Sequence, residues 1–168
     1  MAGTLTPRMT EFQFDEVYCS DLQRAVMTKN IILSGRTFPV HYDDRLRERN
    51  FGKMEGHTHT RGMELWPQEV SVWLQDHTYT MEGGETFEDF NARVDKFVAE
   101  ILRTCEGKTI LVVAHGGSLR SMLKSLGSRF GRVDMDYFIT HACYSDLTID
   151  GNEIRVNEFN SCEHLVGI

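Results

Sequence analysis

The sequence predicts a single three-layer α/β domain with a mixed, mostly parallel sheet. Three observations carry that expectation. Residues 109–114 (TILVVA) are an almost unbroken β-branched run, the pattern of a strand buried on both faces of a parallel sheet. Short strand patterns alternate with helical periodicity along the chain. Near its end, Asp150-Gly151-Asn152 lies between two extended segments and marks a hairpin. A length of 168 residues, 40% of them hydrophobic and 26% charged, fits one globular domain, taken here as 1–168.

The elements follow in order. Residues 15–19 (DEVYC) read as a short strand, and 22–33 as a helix with Ser20 or Asp21 at its N-cap. Residues 38–42 read as a second short strand, and 43–57 as a charged, glycine-punctuated loop. Met63, Leu65, Trp66, Val70, Trp73 and Leu74 make a helical apolar face broken at Pro67, expected to serve as core or as a lid. Over 86–104, Thr86 and Asp89 form a capping box. Phe87, Phe90, Val94, Phe97, Val98 and Ile101 then follow one face. After the 109–114 strand comes a short helix over 118–126, and the hairpin pairs 145–149 with 153–159.

Eighteen Lys and Arg against 25 Asp and Glu give a net charge of −7, which argues against a general nucleic-acid or anionic-membrane binder. A single basic pocket for a small anion is compatible with that sum. No apolar stretch approaches the roughly 18–20 residues of a membrane span, and the N-terminus lacks a signal-peptide pattern. The four cysteines (19, 105, 143 and 162) are widely spaced and read as reduced thiols, making the cytoplasm the expected location.

Two segments lie just past a strand and just before a helix, where open α/β sheets gather ligands. In CSDLQR (19–24), Arg24 falls in the first helical turn, where a guanidinium and a helix N-terminus both favour a phosphate, and Ser20 lies beside it. Taken alone, Arg24 is more often a surface arginine. In AHGGSLR (114–120), His115 ends the buried strand. Gly116 and Gly117 let backbone N–H groups approach an anion. Glu48, within RLRERNFGKMEG (45–56), is a candidate general acid set among cations. Glu85, at a turn feeding a helix cap, is a candidate to face a ligand. His57-Thr58-His59 matches a paired-histidine metal pattern that belongs to barrels of about 250 residues, too long for this chain, so no catalytic metal is expected.

Taken together, VYCSDLQRAVMT (17–28), LRERNFGKMEG (46–56), GGETFEDFNARV (83–94), ILVVAHGGSLRSML (110–123) and the hairpin YSDLTIDGNEIRVNEF (144–159) resemble the histidine phosphatase superfamily. Its members include cofactor-dependent phosphoglycerate mutases and related phosphatases. The resemblance is poor over 1–13, where GTLTP only faintly matches. It implies a phosphoglycerate mutase-like fold and hydrolysis of a phosphomonoester through a phosphohistidine, with no metal or other cofactor. It assigns Arg24 to clamping the phosphoryl group, Glu48 to protonating the leaving oxygen, and His115 to stabilising phosphoryl charge. Ser20, Gly116, Gly117 and Glu85 join Arg24 in substrate binding.

One departure is large. The family's nucleophile is a histidine in an R-H-G motif closing a first, central strand. This chain has no R-H-G, no such strand and no histidine before His41, and most of the helix that follows the strand is expected to be absent too. A lesser one is His141, where the family commonly has Asn. Removing a nucleophile typically costs on the order of 10⁶ in turnover. The expected function is therefore an impaired phosphatase of a small phosphorylated metabolite. The alternative is a non-enzymatic pseudophosphatase that binds a phosphorylated ligand or a protein. Only residues 57–82 separate Gly56 from Gly83, which favours the phosphatase branch over the mutases. Loss of a central strand exposes sheet edges and predicts a homodimer.

Overall fold

The computed structural model describes residues 2–131 and 139–165. The chain divides into two compact units, Met1–Glu48 with Val94–Ile168, and Arg49–Arg93.

The first unit is built on a parallel sheet of three strands in the order β2-β1-β3, with β1 at Glu16–Cys19, β2 at Val40–Tyr42 and β3 at Ile110–Val113. Side chains alternate across β1, as strand geometry requires. Val17 and Cys19, both fully buried, face a core made with Ala25, Ile32 and Leu33 of helix α2 (Gln23–Leu33) and with Leu5 and Met9 of helix α1 (Ala2–Thr10). On the opposite face, the ring of Tyr18 meets Phe97 edge-on at 5.6 Å. Helices on both faces of the sheet give the expected three layers.

Helix α1 departs from the sequence expectation, which found no helix there. With threonines at 4, 6 and 10 and Pro7 inside, its own propensity is poor. Burial of Leu5 and Met9 against α2, and a hydrogen bond from Thr6 Oγ1 to Ile31 O (3.1 Å), hold it in place. Helix α2 also differs at its start. Leu22 is the N-cap and makes no side-chain capping bond, so neither Ser20 nor Asp21 closes the helix.

Val113 is buried, whereas Ile110, Leu111 and Val112 are only half-buried, contrary to a strand covered on both sides. The sheet order explains this: among the described residues β3 is a margin of the sheet. The hairpin, β4 (Tyr144–Asp150) with β5 (Glu153–Ser161), is an antiparallel sheet of its own, turning at Gly151 with φ 54°. Its base is closed by a disulfide between Cys143 and Cys162, whose Cα atoms lie 4.9 Å apart. This corrects the expectation of four reduced thiols. The two cysteines are distant in sequence, and only the hairpin register makes them neighbours. Cys19 and Cys105 are unbridged.

The second unit contains α3 (His59–Leu65) and α4 (Pro67–Gln75), with Pro67 opening α4 as its first residue. Its core is Met54, Val70 and Met81, with Phe51, Trp66, Trp73 and Tyr79 packed around it. Of the apolar face expected over 63–74, Val70 is buried, while Met63, Leu65 and Leu74 are exposed. One side chain reaches along the segment 77–85. Arg49, itself buried, donates to the carbonyls of His77 (2.6 Å), Thr78 (3.3 Å), Tyr79 (3.0 Å) and Glu85 (3.0 Å).

Helix α5 (Phe87–Thr104) is capped as expected: Asp89 N donates to Thr86 Oγ1 at 3.0 Å, and Thr86 Oγ1 donates to Asp89 Oδ2 at 2.7 Å. Helix α6 runs over Gly116–Phe130, longer than expected, because Ser121, Met122, Leu123 and Leu126 are buried along its inner side.

Candidate active site

The register of β1 on β3 builds the site. Cys19 pairs with Val113, so both strands end level, and Ser20 N donates to Val113 O at 2.9 Å. The next residues of each strand therefore emerge side by side at the carboxyl edge of the sheet. His115 is the N-cap of α6 in an extended conformation, and its N–H donates to the buried Ser118 hydroxyl at 3.0 Å. That anchor fixes where the ring leaves the backbone.

The imidazole is held from both sides. Arg24 Nε donates to His115 Nδ1 at 3.1 Å, and His115 Nε2 lies 2.9 Å from the fully buried Ser20 Oγ. An arginine N–H only donates, so Nδ1 accepts and the ring proton sits on Nε2, pointing to Ser20. Ser20, expected in ligand binding, thus orients the histidine. Glu48 is brought in from a sequence distance of 69 residues: Gly117 N donates to Glu48 Oε2 at 2.9 Å. A Cβ on Gly117 would lie 2.1 Å from Glu48 Oε1, so glycine is needed for this approach. The N–H expected to reach an anion is given to the carboxylate instead. Gly116 is the first residue of α6, whose N-terminus adds positive potential.

Sequence reading missed the flanking pair Asp21 and Arg47, joined at 2.7 Å between Arg47 Nε and Asp21 Oδ1. The guanidinium holds the Asp21 carboxyl below the usual carboxylate range. Both line a cavity of about 490 Å³ with Tyr42, Asp43, Asp44 and Arg45. Their only sequence signal was adjacency to Ser20 and Glu48. Beneath the site, burial pushes the Cys19 thiol up to about 11, which leaves it protonated and unreactive at neutral pH.

Glu85 belongs to the second unit. There Arg93 Nε donates to Glu85 Oε1 at 2.6 Å, and Asn50 N reaches Glu85 Oε2 at 3.4 Å. His57 and His59 are engaged separately, edge-on to Trp66 at 5.5 Å and to Trp73 at 5.2 Å. His141 is exposed. Among the described residues, no group of His, Cys, Asp and Glu is arranged to hold a metal ion. No helix among them is long and apolar enough to cross a membrane.

An arginine, a histidine ring and a helix N-terminus beside one carboxylate make an anion cradle with an acid at its edge, a combination suited to phosphoryl chemistry. Comparison with known proteins agrees. The adenosylcobalamin/alpha-ribazole phosphatase of Escherichia coli K12 is 30% identical over 149 residues, covering 88% of this chain and 73% of that protein. The 2,3-bisphosphoglycerate-dependent phosphoglycerate mutase of Cytophaga hutchinsonii is 33% identical over 120 residues, covering 68% of this chain and 56% of that one. The crystal structure of the alpha-ribazole phosphatase from Shigella flexneri superposes with a TM-score of 0.82 at 29% identity, covering 95% of this chain and 80% of that one. The family model of the histidine phosphatase superfamily (branch 1) matches residues 1–161, including the N-terminal segment whose resemblance was poor. This chain belongs to the histidine phosphatase superfamily.

Proposed function

We propose that this chain binds the phosphate group of a small phosphomonoester at the carboxyl ends of β1 and β3. Its inherited reaction is hydrolysis through a phosphohistidine, impaired here because the chain contains no R-H-G nucleophile. The observation that carries the reading is the Arg24–His115–Ser20 chain of contacts beside Glu48. A phosphoryl group entering between Arg24 and His115 takes the place of their mutual hydrogen bond; it receives the Arg24 N–H directly, and an Nδ1–H from His115 once the ring tautomer reverses and the Ser20 hydroxyl donates to Nε2. Glu48, held by Gly117, is placed to protonate a leaving oxygen. We place the chain in the cytoplasm, a setting in which the Cys143–Cys162 bridge is reducible.

The test is phosphate release from an aryl phosphate by the parent chain, Arg24→Ala, His115→Ala and Glu48→Ala, alongside inorganic phosphate binding. The expected result is no turnover in any of them, with phosphate binding at the Arg24–His115 cradle kept in the parent and lost in Arg24→Ala and His115→Ala. Parent turnover that disappears in His115→Ala and Glu48→Ala refutes the impairment and points to a substitute nucleophile. A second reading, a non-enzymatic module paired with another copy of itself, is favoured by the half-buried margin strand β3. It expects a dimer in sedimentation at micromolar concentration, and a monomer at that concentration removes it.

A further inference from the structure

Several cations of this acidic chain sit against carboxylates. Arg45 is paired with Asp43, Arg47 with Asp21, Arg93 with Glu85, Arg129 with Asp95, and Lys53 with Glu69. Two cations outside these pairs, both in the first unit, line the same cavity. Lys29 on α2 is 7% exposed, yet its Nζ has only the Tyr42 hydroxyl at 3.0 Å and the Tyr42 ring at 5.2 Å. Arg36, in the loop after α2, donates to the carbonyls of Phe12 and Met9. Its buried Nε has no hydrogen-bond partner. Neither residue has a carboxylate within ion-pair distance among the described residues. The cavity, of about 320 Å³, is lined by Lys29, Asn30, Arg36, Thr37 and apolar neighbours, with no acidic side chain.

Burying an ammonium without a counter-charge is costly, and an ammonium has three donors to satisfy. We propose that this cavity is a second anion site that takes a small oxyanion, phosphate or carboxylate. Lys29 supplies the charge, the Thr37 hydroxyl and Asn30 amide supply further donors, and the Arg36 guanidinium adds positive potential. The site is separate from the Arg24–His115 cradle. Both draw on α2, but five helical residues amount to a rotation of about 140° and a rise of about 7.5 Å, which puts Arg24 and Lys29 on different faces.

The test is equilibrium dialysis of labelled inorganic phosphate against the whole chain, repeated with malonate, in a buffer free of other oxyanions. The parent is expected to bind two phosphates. Arg24→Ala loses one, Lys29→Met weakens the other tenfold or more, and Lys29→Arg retains it. Asn30→Asp, at an exposed position, places a carboxylate at the cavity without touching the core and is expected to weaken the same site. Malonate in place of phosphate at the Lys29 site identifies a carboxylate ligand. A single binding event lost with Lys29→Met but not with Arg24→Ala supports this site and sinks the proposed active-site reading. Binding unchanged in both Lys29→Met and Asn30→Asp overturns the second site and leaves the first reading standing.

Discussion

Replacing Gly117 by alanine tests whether the Glu48 carboxylate is held by the first turn of α6. The new Cβ would lie 2.1 Å from Glu48 Oε1 and 2.9 Å from its Cδ, so the carboxylate must leave. With it goes the 2.9 Å bond from Gly117 N, a hydrogen bond to a charged group, worth about 1.5–3 kcal/mol. Opposing that loss, alanine is favoured over glycine in a helix by about 1 kcal/mol. Gly117→Ala in the parent is therefore expected to destabilise by about 0.5–2 kcal/mol. In a Glu48→Ala background nothing remains to be displaced, and the same change is expected to stabilise by up to about 1 kcal/mol. Urea unfolding of the four proteins closes a double-mutant cycle with a coupling energy of about 1.5–3 kcal/mol. Additive effects, with coupling below about 0.5 kcal/mol, would mean that the two residues do not interact and would refute the placement of the acid.

Other outcomes follow from the packing and the charges. Phe97→Ala, at a fully buried position between sheet and α5, is expected to cost about 3–5 kcal/mol in the same unfolding assay. Arg129 and Ser125 hold the Asp95 carboxyl down from 3.8 to about 2. A depressed carboxylate stabilises the fold above its unfolded value and stops doing so as pH falls from about 4 through 2. Asp95→Asn should flatten acid unfolding in that window, by no more than about 1 kcal/mol because the pair is half exposed. Reduction, or Cys143→Ser, is expected to lower stability by about 2–4 kcal/mol. Before reduction, alkylation followed by mass spectrometry should label Cys105, leaving buried Cys19 and the bridged pair unmodified.

The strands, α5 with its cap, and the hairpin were legible because each is written in a local pattern. The β-branched run at 109–114, the Thr86–Asp89 box and Asp150-Gly151-Asn152 all act within a few residues. Arg24 and His115 were legible from their positions at strand ends, and the ordered motifs supplied the family. Helix α1 was hidden because its stability comes from Leu5 and Met9 meeting α2, an effect of packing that its weak propensity opposes. The bond between Ser20 and His115, 95 residues apart, depends on the Cys19–Val113 register, which no local pattern encodes. The Cys143–Cys162 bridge and the Arg47–Asp21 pair were likewise closed by tertiary geometry. The half-buried state of β3 was misjudged because strand composition reports what could be covered, while the sheet order decides what is.

The grip of Arg49 on the 77–85 segment separates the shape of a loop from its spelling. Apart from the Thr80 hydroxyl, the groups it holds are main-chain carbonyls, which every residue type provides, so much of the instruction for that shape is stored at position 49 and not in the loop itself. A lysine there offers a single point of contact where the guanidinium reaches four carbonyls, so the apparently conservative change is the disruptive one. Within the loop, exposed His77 gives Arg49 only its carbonyl, so that position can carry new side chains without rewriting the backbone, whereas Tyr79 is tied to the core it packs on.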